Sequence, residues 1–205
     1  RRLELRPPSL DTLPLLWIIM LVPKSAAADH SVNRLAYCAV SGSKGREEQV
    51  MFVENSVVID RPIEEVFEVA TCLRRAVVWR NALTSSVQTS AGPVGVGTTF
   101  EQELRFMGKS RRNTAVITAY EPPCLLVYQH VQGLGEYEAR FFFEAAGGRT
   151  RFTVRLDGQS PAFWAKVVPE ELQLRWARAL IVQEMNVLRD MLESGFDFEA
   201  ALERP

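Results

Sequence analysis

Apolar and polar side chains alternate along most of the chain between residues 98 and 156. The segment TTFEQELRFM places Phe100, Gln102, Leu104 and Phe106 on one face. The segments EYEARFFFEA and RTRFTVRL have the same period of two. Because successive side chains of a strand point to opposite faces, this pattern predicts antiparallel strands with one solvated face and one covered face.

A long amphipathic helix is predicted after these strands, over residues 169–194. Pro169, Glu170 and Glu171 suit its first turn, and Gly195 lies just beyond its end. Its apolar stripe consists of Leu174, Ala177, Ile181, Met185, Leu188 and Leu192. We expect this stripe to cover the apolar face of the sheet, which gives an α+β fold. The last residues, 196–205, are expected to form a loosely docked tail.

The region before the alternating segments begins with a strand and a short helix. VMFVENSVVID is rich in β-branched and aromatic residues and predicts a strand. DRPIEEVFEVAT follows, with Asp60 as the expected N-cap and Pro62 in the first turn. CLRRAVVWRNAL predicts a second short helical or irregular stretch, NTAVITAYEP and CLLVYQHV predict two strands, and AAGGRT predicts a hairpin turn.

The first 48 residues differ in composition from the rest of the chain. Arginines, an apolar run over residues 13–22 and three alanines at 26–28 resemble a secretory signal. The alternative is an extension without a folded role, and we favour it slightly. The apolar run is too short to span a bilayer as a helix, so we expect no stable membrane insertion. We predict a cytoplasmic protein, with export as the alternative if residues 1–28 are a genuine signal.

Charge and cysteine content exclude several function classes. Lysine and arginine number 24 against 25 aspartates and glutamates, so no overall positive field favours nucleic acid. Cys38, Cys72 and Cys124 form no CxxC motif, and the two histidines, His30 and His130, lie far apart. We therefore predict no disulfide framework, no metal site and no cofactor.

The glycine pair in GPVGVGTTF raises the possibility of a phosphate-binding loop. A dinucleotide fingerprint has a strand before its glycines and a helix after them. Here Gly95 and Gly97 run into a predicted strand. We therefore interpret them as a tight entry into the sheet.

Several segments, in their order, carry a resemblance to a known family. They are IDRPIEEVFEVAT, Trp79, GPVGVGTTFEQEL, AVITAYEPPCLLVY and GGRTRFTVRL before the long helix. Over residues 53–192 the chain resembles the SRPBCC superfamily, in particular its START-like polyketide cyclase/dehydrase and lipid transport branch. The resemblance implies a helix-grip fold over residues 49–195, in which a curved antiparallel sheet wraps around the C-terminal helix. It also implies a cavity between the sheet and that helix for a small hydrophobic molecule.

The residues expected to contact such a ligand are either predicted to face the interior or aromatic. They are Trp79, Phe100, Gln102, Tyr128, Tyr137, Phe141 and Trp176. Gln102 is the most informative, because a carboxamide on an apolar face needs a hydrogen-bond partner, from the protein, water or a ligand. Alternation does not decide whether Tyr128 and His130 point inward, or Val127 and Gln129 do. Phe163 and Trp164 are further candidates for the cavity wall.

Three functions compete on the sequence alone. The first is a binding or carrier protein for a lipid or polyketide-like molecule. The second is a cyclase, aromatase or dehydratase that uses the same cavity; for it, His130 is the only imidazole within the predicted domain. The third is an interaction scaffold that uses the basic GKSRRN turn at residues 108–113, although we favour the interpretation of that turn as an ordinary solvated hairpin. We favour the first and assign no catalytic residue.

Overall fold

A computed structural model describes residues 50–106, 109–133, 136–159 and 168–203. The sheet contains seven antiparallel strands in the order β1-β7-β6-β5-β4-β3-β2. The elements in chain order are β1 (Val50–Ile59), α1 (Ile63–Thr71), α2 (Ala76–Trp79), β2 (Leu83–Gln88), β3 (Thr99–Phe106), β4 (Lys109–Glu121), β5 (Leu125–Gln132), β6 (Tyr137–Ala146), β7 (Arg149–Gln159), α3 (Glu170–Glu193) and α4 (Phe198–Leu202). The predicted α+β helix-grip fold is confirmed: the curved sheet has one long C-terminal helix.

The covered face of the sheet forms one hydrophobic core with the helices. Phe100 and Phe152 are fully buried, and Phe141 and Phe143 are nearly so. From α3, Ala177, Ile181, Met185, Leu188 and Leu192 are buried in the same cluster, and Leu174 packs against it. The helical stripe and the strand alternation were therefore predicted correctly, because both follow from apolar burial.

Strand β5 presents Tyr128 and His130 to the interior. Both side chains are buried, whereas Gln129 is exposed. Tyr128 pairs with Ala139 of β6, and His130 pairs with Tyr137. Val127 is also buried but lies outside the core cluster, so the burial of Tyr128 and His130 beside an exposed Gln129 decides the alternative that the sequence pattern left open.

The junction between β1 and α1 differs from the prediction. Asp60 does not cap α1; the N-cap position is Pro62, which has no side-chain capping bond. The Asp60 backbone N–H instead donates to Glu193 Oε1 at 2.8 Å, and Arg61 Nη2 donates to the Glu193 carbonyl at 2.8 Å. Residues at this junction therefore bind the end of α3. A local helix-start pattern cannot predict such a contact with a distant residue.

The glycine-rich loop enters a strand, as predicted. Gly97 has φ +85°, a conformation that favours glycine, and its N–H donates to the Ile117 carbonyl at 2.8 Å. β3 begins two residues later. The predicted hairpin at Gly147 and Gly148, with φ of +62° and +81°, is also present.

The C-terminal segment is docked, contrary to the expectation of a loose tail. Phe198 of α4 is only 7% exposed and belongs to the core cluster. Asp197 caps α4 by accepting a hydrogen bond from the Ala200 N–H at 2.9 Å. The buried Phe198 attaches this short helix to the core, and the composition of the tail did not show it.

Some predictions fall on residues outside the described ranges. They concern the extension over residues 1–48, Phe163 and Trp164. Among the helices of the described ranges, none combines the length and the apolar character needed to cross a membrane.

Candidate functional site

A small cavity lies between the inner face of the sheet and the segment that joins α1 to α2. Its volume is about 10 Å³, roughly the space that one water needs. The sheet contributes Phe100, Gln102, Leu126, Tyr128 and Phe141, and the helical side contributes Ala70, Thr71, Cys72, Leu73, Ala76, Trp79 and Arg80. The position differs from our prediction, because α3 contributes no lining residue within the described part of the chain. Its apolar stripe is packed into the core instead.

Five of the seven predicted ligand contacts meet at this cavity. They are Trp79, Phe100, Gln102, Tyr128 and Phe141. Tyr137 and Trp176 are not among the described residues that line it. Tyr137 stacks instead on His130, with ring centroids 4.0 Å apart, and Trp176 is half-buried on α3.

Two polar atoms of the cavity wall are buried without a hydrogen-bond partner among the described residues. They are the Gln102 Oε1 and the Trp79 Nε1, on side chains that are each 2% exposed. A buried polar group without a partner costs about 1–3 kcal/mol. Two residues that line the cavity therefore carry an acceptor, Gln102 Oε1, and a donor, Trp79 Nε1, that no described residue satisfies.

A buried ion pair adjoins the same wall. Arg80 Nε lies 3.4 Å from Glu184 Oε2 of α3, and Arg80 Nη1 donates to the Tyr128 hydroxyl at 3.3 Å. Burial alone lowers the pKa of Arg80, but the neighbouring Tyr128, Glu184 and Tyr137 outweigh it, so the pKa lies above its ordinary value. Burial raises the pKa of Glu184, although Arg80 and the Ala82 backbone N–H oppose this effect.

His130 lies behind Tyr128, away from the cavity itself. Its ring is fully buried, edge-on to Tyr128 with centroids 5.5 Å apart. Burial and the charge of Arg80 lower the pKa of His130 to about 3, so the imidazole is neutral near pH 7. Burial raises the pKa of Tyr137, whereas a hydrogen bond with the Asn113 side chain lowers it. These residues form a contiguous polar cluster behind the aromatic wall.

Comparison with known proteins places this architecture in a family. The family model described as polyketide cyclase / dehydrase and lipid transport matches residues 52–192. The chain belongs to the polyketide cyclase/dehydrase and lipid transport family. The predicted family resemblance is confirmed. No curated protein matches the chain in sequence.

Solved structures share the fold of this family member at low sequence identity. A protein from Thermus thermophilus superposes with a TM-score of 0.60 and 17% identity, over 71% of this chain and 99% of its own. A START superfamily protein from Mycobacterium smegmatis gives 0.56 and 16%, over 70% and 95%. The Zhui aromatase/cyclase from Streptomyces sp. R1128 gives 0.56 and 13%, over 76% and 97%. At these identities the likeness shows the fold alone.

Three polar residues of the candidate site in this family member were not predicted from the sequence. Arg80, Asn113 and Glu184 were not predicted as site residues. Glu184 did carry a signal, because it lies three residues after Ile181 and four before Leu188, on the buried face of α3. A carboxylate on such a face needs a partner. Asn113 is 1% exposed at a position where the sequence reads as a polar turn.

Two other features of the described residues bear on the choice of a candidate site. Lys109, Arg111 and Arg112 of the predicted basic turn are exposed at the start of β4. Among the described residues, no group of three or more histidine, cysteine, aspartate or glutamate side chains is placed to hold a metal ion. The interior cluster is therefore the better candidate site.

Proposed function

We propose that this protein binds a small hydrophobic molecule, lipid-like or polyketide-like, that carries at least one polar group. The observation that carries the proposal is the pair of buried atoms without a partner among the described residues, Gln102 Oε1 and Trp79 Nε1, on a cavity wall made mostly of aromatic and aliphatic side chains. A ligand carbonyl would accept from Trp79, and a ligand hydroxyl would donate to Gln102. The family supports this general class of ligand.

The cavity volume requires part of its wall to move when a ligand binds. About 10 Å³ holds no molecule larger than water. On the sheet side, β3 and β5 are each bonded to strands on both of their edges. The segment between α1 and α2 has no such ladder, so we expect it to move outward as the ligand enters.

The first experiment is native mass spectrometry of the full chain purified from the organism that makes it. Organic extraction then identifies any bound molecule. We expect a near-stoichiometric apolar compound with a carbonyl or hydroxyl group. Protein that is consistently empty after gentle purification, and that retains no lipid or polyketide extract of the same cells, would overturn the proposal.

A matched pair of variants tests the location of the site. Gln102→Leu removes the buried carboxamide, whereas Gln129→Leu makes the same change at an exposed position of β5. We expect the first variant to lose most of the extracted ligand and the second to retain it. Equal retention by both variants would place the ligand elsewhere.

An enzyme of the cyclase or dehydratase kind is the alternative function. The observation that favours it is the polar cluster behind the cavity, in which Arg80 donates to Tyr128 and His130 stacks on Tyr137. Such groups can hold or pass a proton along a reacting chain. Incubation of the extracted ligand with fresh protein tests this, because cyclisation with dehydration lowers the ligand mass by one water. Cyclisation without dehydration leaves the mass unchanged but alters chromatographic retention, so an unchanged mass together with an unchanged retention argues for carriage alone.

We also propose that residues 49–195 act as one binding domain in the cytoplasm, with residues 1–48 outside it. The exported alternative depends on residues 1–28 being a signal. The intact mass from the same spectrum decides between them, because a signal would be removed from the mature chain.

A further inference from the structure

The segment between α1 and α2 has an inner side and an outer side. Cys72 and Leu73 line the cavity and are half-buried. Arg74 and Arg75, which follow directly in the chain, direct their guanidinium groups to carboxylates on the surface. We refer to residues 72–75 as the entry turn, because they join α1 to α2 and contain half-buried residues of the cavity lining.

The C-terminal helix holds the outer side of the entry turn. Glu199 of α4 accepts from Arg74 Nη2 at 2.5 Å and from Arg75 Nε at 2.9 Å. Arg75 also donates to Glu68 of α1 at 3.0 Å. The neighbouring Phe198 is buried in the core, so α4 has a fixed anchor beside its charged contact.

The ion pairs between Glu199 and the entry turn are weak, as expected for an element that opens. The Glu199 side chain is 48% exposed and that of Arg74 is 69% exposed, so solvent screens their attraction. Hydrogen bonding to Arg75 lowers the pKa of Glu199. The buried Phe198 attaches α4 to the core independently of these exposed ion pairs.

We propose that α4 is a latch that holds the entry turn closed over the cavity, with Glu199 as its releasable contact. This inference rests on the proposed binding function, because it assigns the route by which a ligand enters. Loss of the Glu199 charge would raise the population of the open turn and speed ligand entry.

Hydrogen–deuterium exchange on the full chain tests the latch without any ligand. Glu199→Gln removes the charge at the contact, and Glu203→Gln makes the same change at an exposed position that follows α4. We expect Glu199→Gln to speed amide exchange over residues 72–80 about two- to fivefold, the range that weak exposed ion pairs allow. The amides that report it include those of Ala76 and Arg80, which donate to Cys72 and Ala76. Equal exchange in both variants would overturn the latch.

A second measurement connects the latch to entry. The neutral apolar dye N-phenyl-1-naphthylamine serves as the probe, and its association is followed by stopped-flow fluorescence. We expect its association rate to rise with Glu199→Gln by the same factor as the exchange rate. An unchanged dye rate beside faster exchange would overturn the entry turn as the route. Absence of dye binding in every variant would count against the proposed function. The exchange result would still show whether Glu199 holds the entry turn closed.

Discussion

Arg80 and Glu184 form an ion pair inside the domain, although 104 residues separate them in the chain. The Arg80 side chain is 16% exposed and that of Glu184 is 9% exposed. The pair joins the end of α2 to the middle of α3 and lies against the candidate cavity. Removing one partner from such a pair leaves a buried charge without compensation.

A double-mutant cycle measures this pair. We expect Arg80→Met and Glu184→Gln each to lower the free energy of unfolding by about 3 kcal/mol. The double variant should lose less than the sum, by about 1–3 kcal/mol. Urea unfolding supplies the values. The exposed pair of Arg151 and Glu144, 3.9 Å apart, is the control and should show coupling below about 1 kcal/mol. Equal coupling energies in the two pairs would contradict the prediction that burial strengthens the interaction of Arg80 with Glu184.

His130 should make the stability of the protein depend on pH. Its pKa is about 3 in the folded state, against 6.5 for the ordinary side chain. As pH falls below 6.5 the unfolded chain takes up a proton that the folded chain excludes, so stability is lost with acidification. Between about pH 7.5 and pH 5 this loss amounts to about 2 kcal/mol.

The variant His130→Phe keeps an aromatic ring against Tyr137 and removes the titration. We expect the wild type to lose about 2 kcal/mol more than this variant over the same pH interval, as measured by urea unfolding. The carboxylates titrate in both proteins and cancel from the difference. Parallel pH profiles would show that His130 accepts a proton in the folded state.

Gly158 of β7 should tolerate no side chain. A Cβ atom there would lie 2.2 Å from the Tyr137 Cβ and 2.7 Å from the Glu136 carbonyl oxygen. We expect Gly158→Ala to cost about 1–3 kcal/mol, because the strands would have to separate. Gly95→Ala is the control, since a Cβ there has no atom within 4 Å. Thermal unfolding of the two variants is the measurement. Similar melting temperatures would contradict the close approach of Gly158 to Tyr137 and Glu136.

We expect Gln102 to lower the free energy of unfolding of the unliganded protein, although its side chain contributes to ligand binding. Because its Oε1 has no partner among the described residues, Gln102→Leu should raise the free energy of unfolding of the unliganded protein by about 1 kcal/mol. Gln129→Leu, at the exposed position, should change it by less than about 0.5 kcal/mol. Urea unfolding of ligand-free protein checks both values. A destabilised Gln102→Leu variant would mean that the carboxamide is bonded within the fold.

Much of the fold and part of the site were predictable from local patterns. Phe100 and Gln102 share a face because strands have a period of two. The family resemblance implied a cavity on that face, and both residues line the cavity that is present. Arg80 was not predictable in this way, because a surface arginine and a buried one look alike in sequence. Its role depends on Glu184, and nothing local in the chain indicates that the two approach each other.

The sequence by itself determined the strands, the long helix and the apolar face that joins them, because those follow from side-chain periodicity and burial. Tertiary structure alone decided which face of β5 points inward and why the tail is docked. It also decided that the entry turn contributes to the cavity lining, whereas no described residue of α3 does. The reason is physical: these features depend on strand register and on contacts between distant residues, such as Phe198 with the core and Glu199 with Arg75. Periodicity carries information over a few residues, whereas a site is assembled across the whole chain.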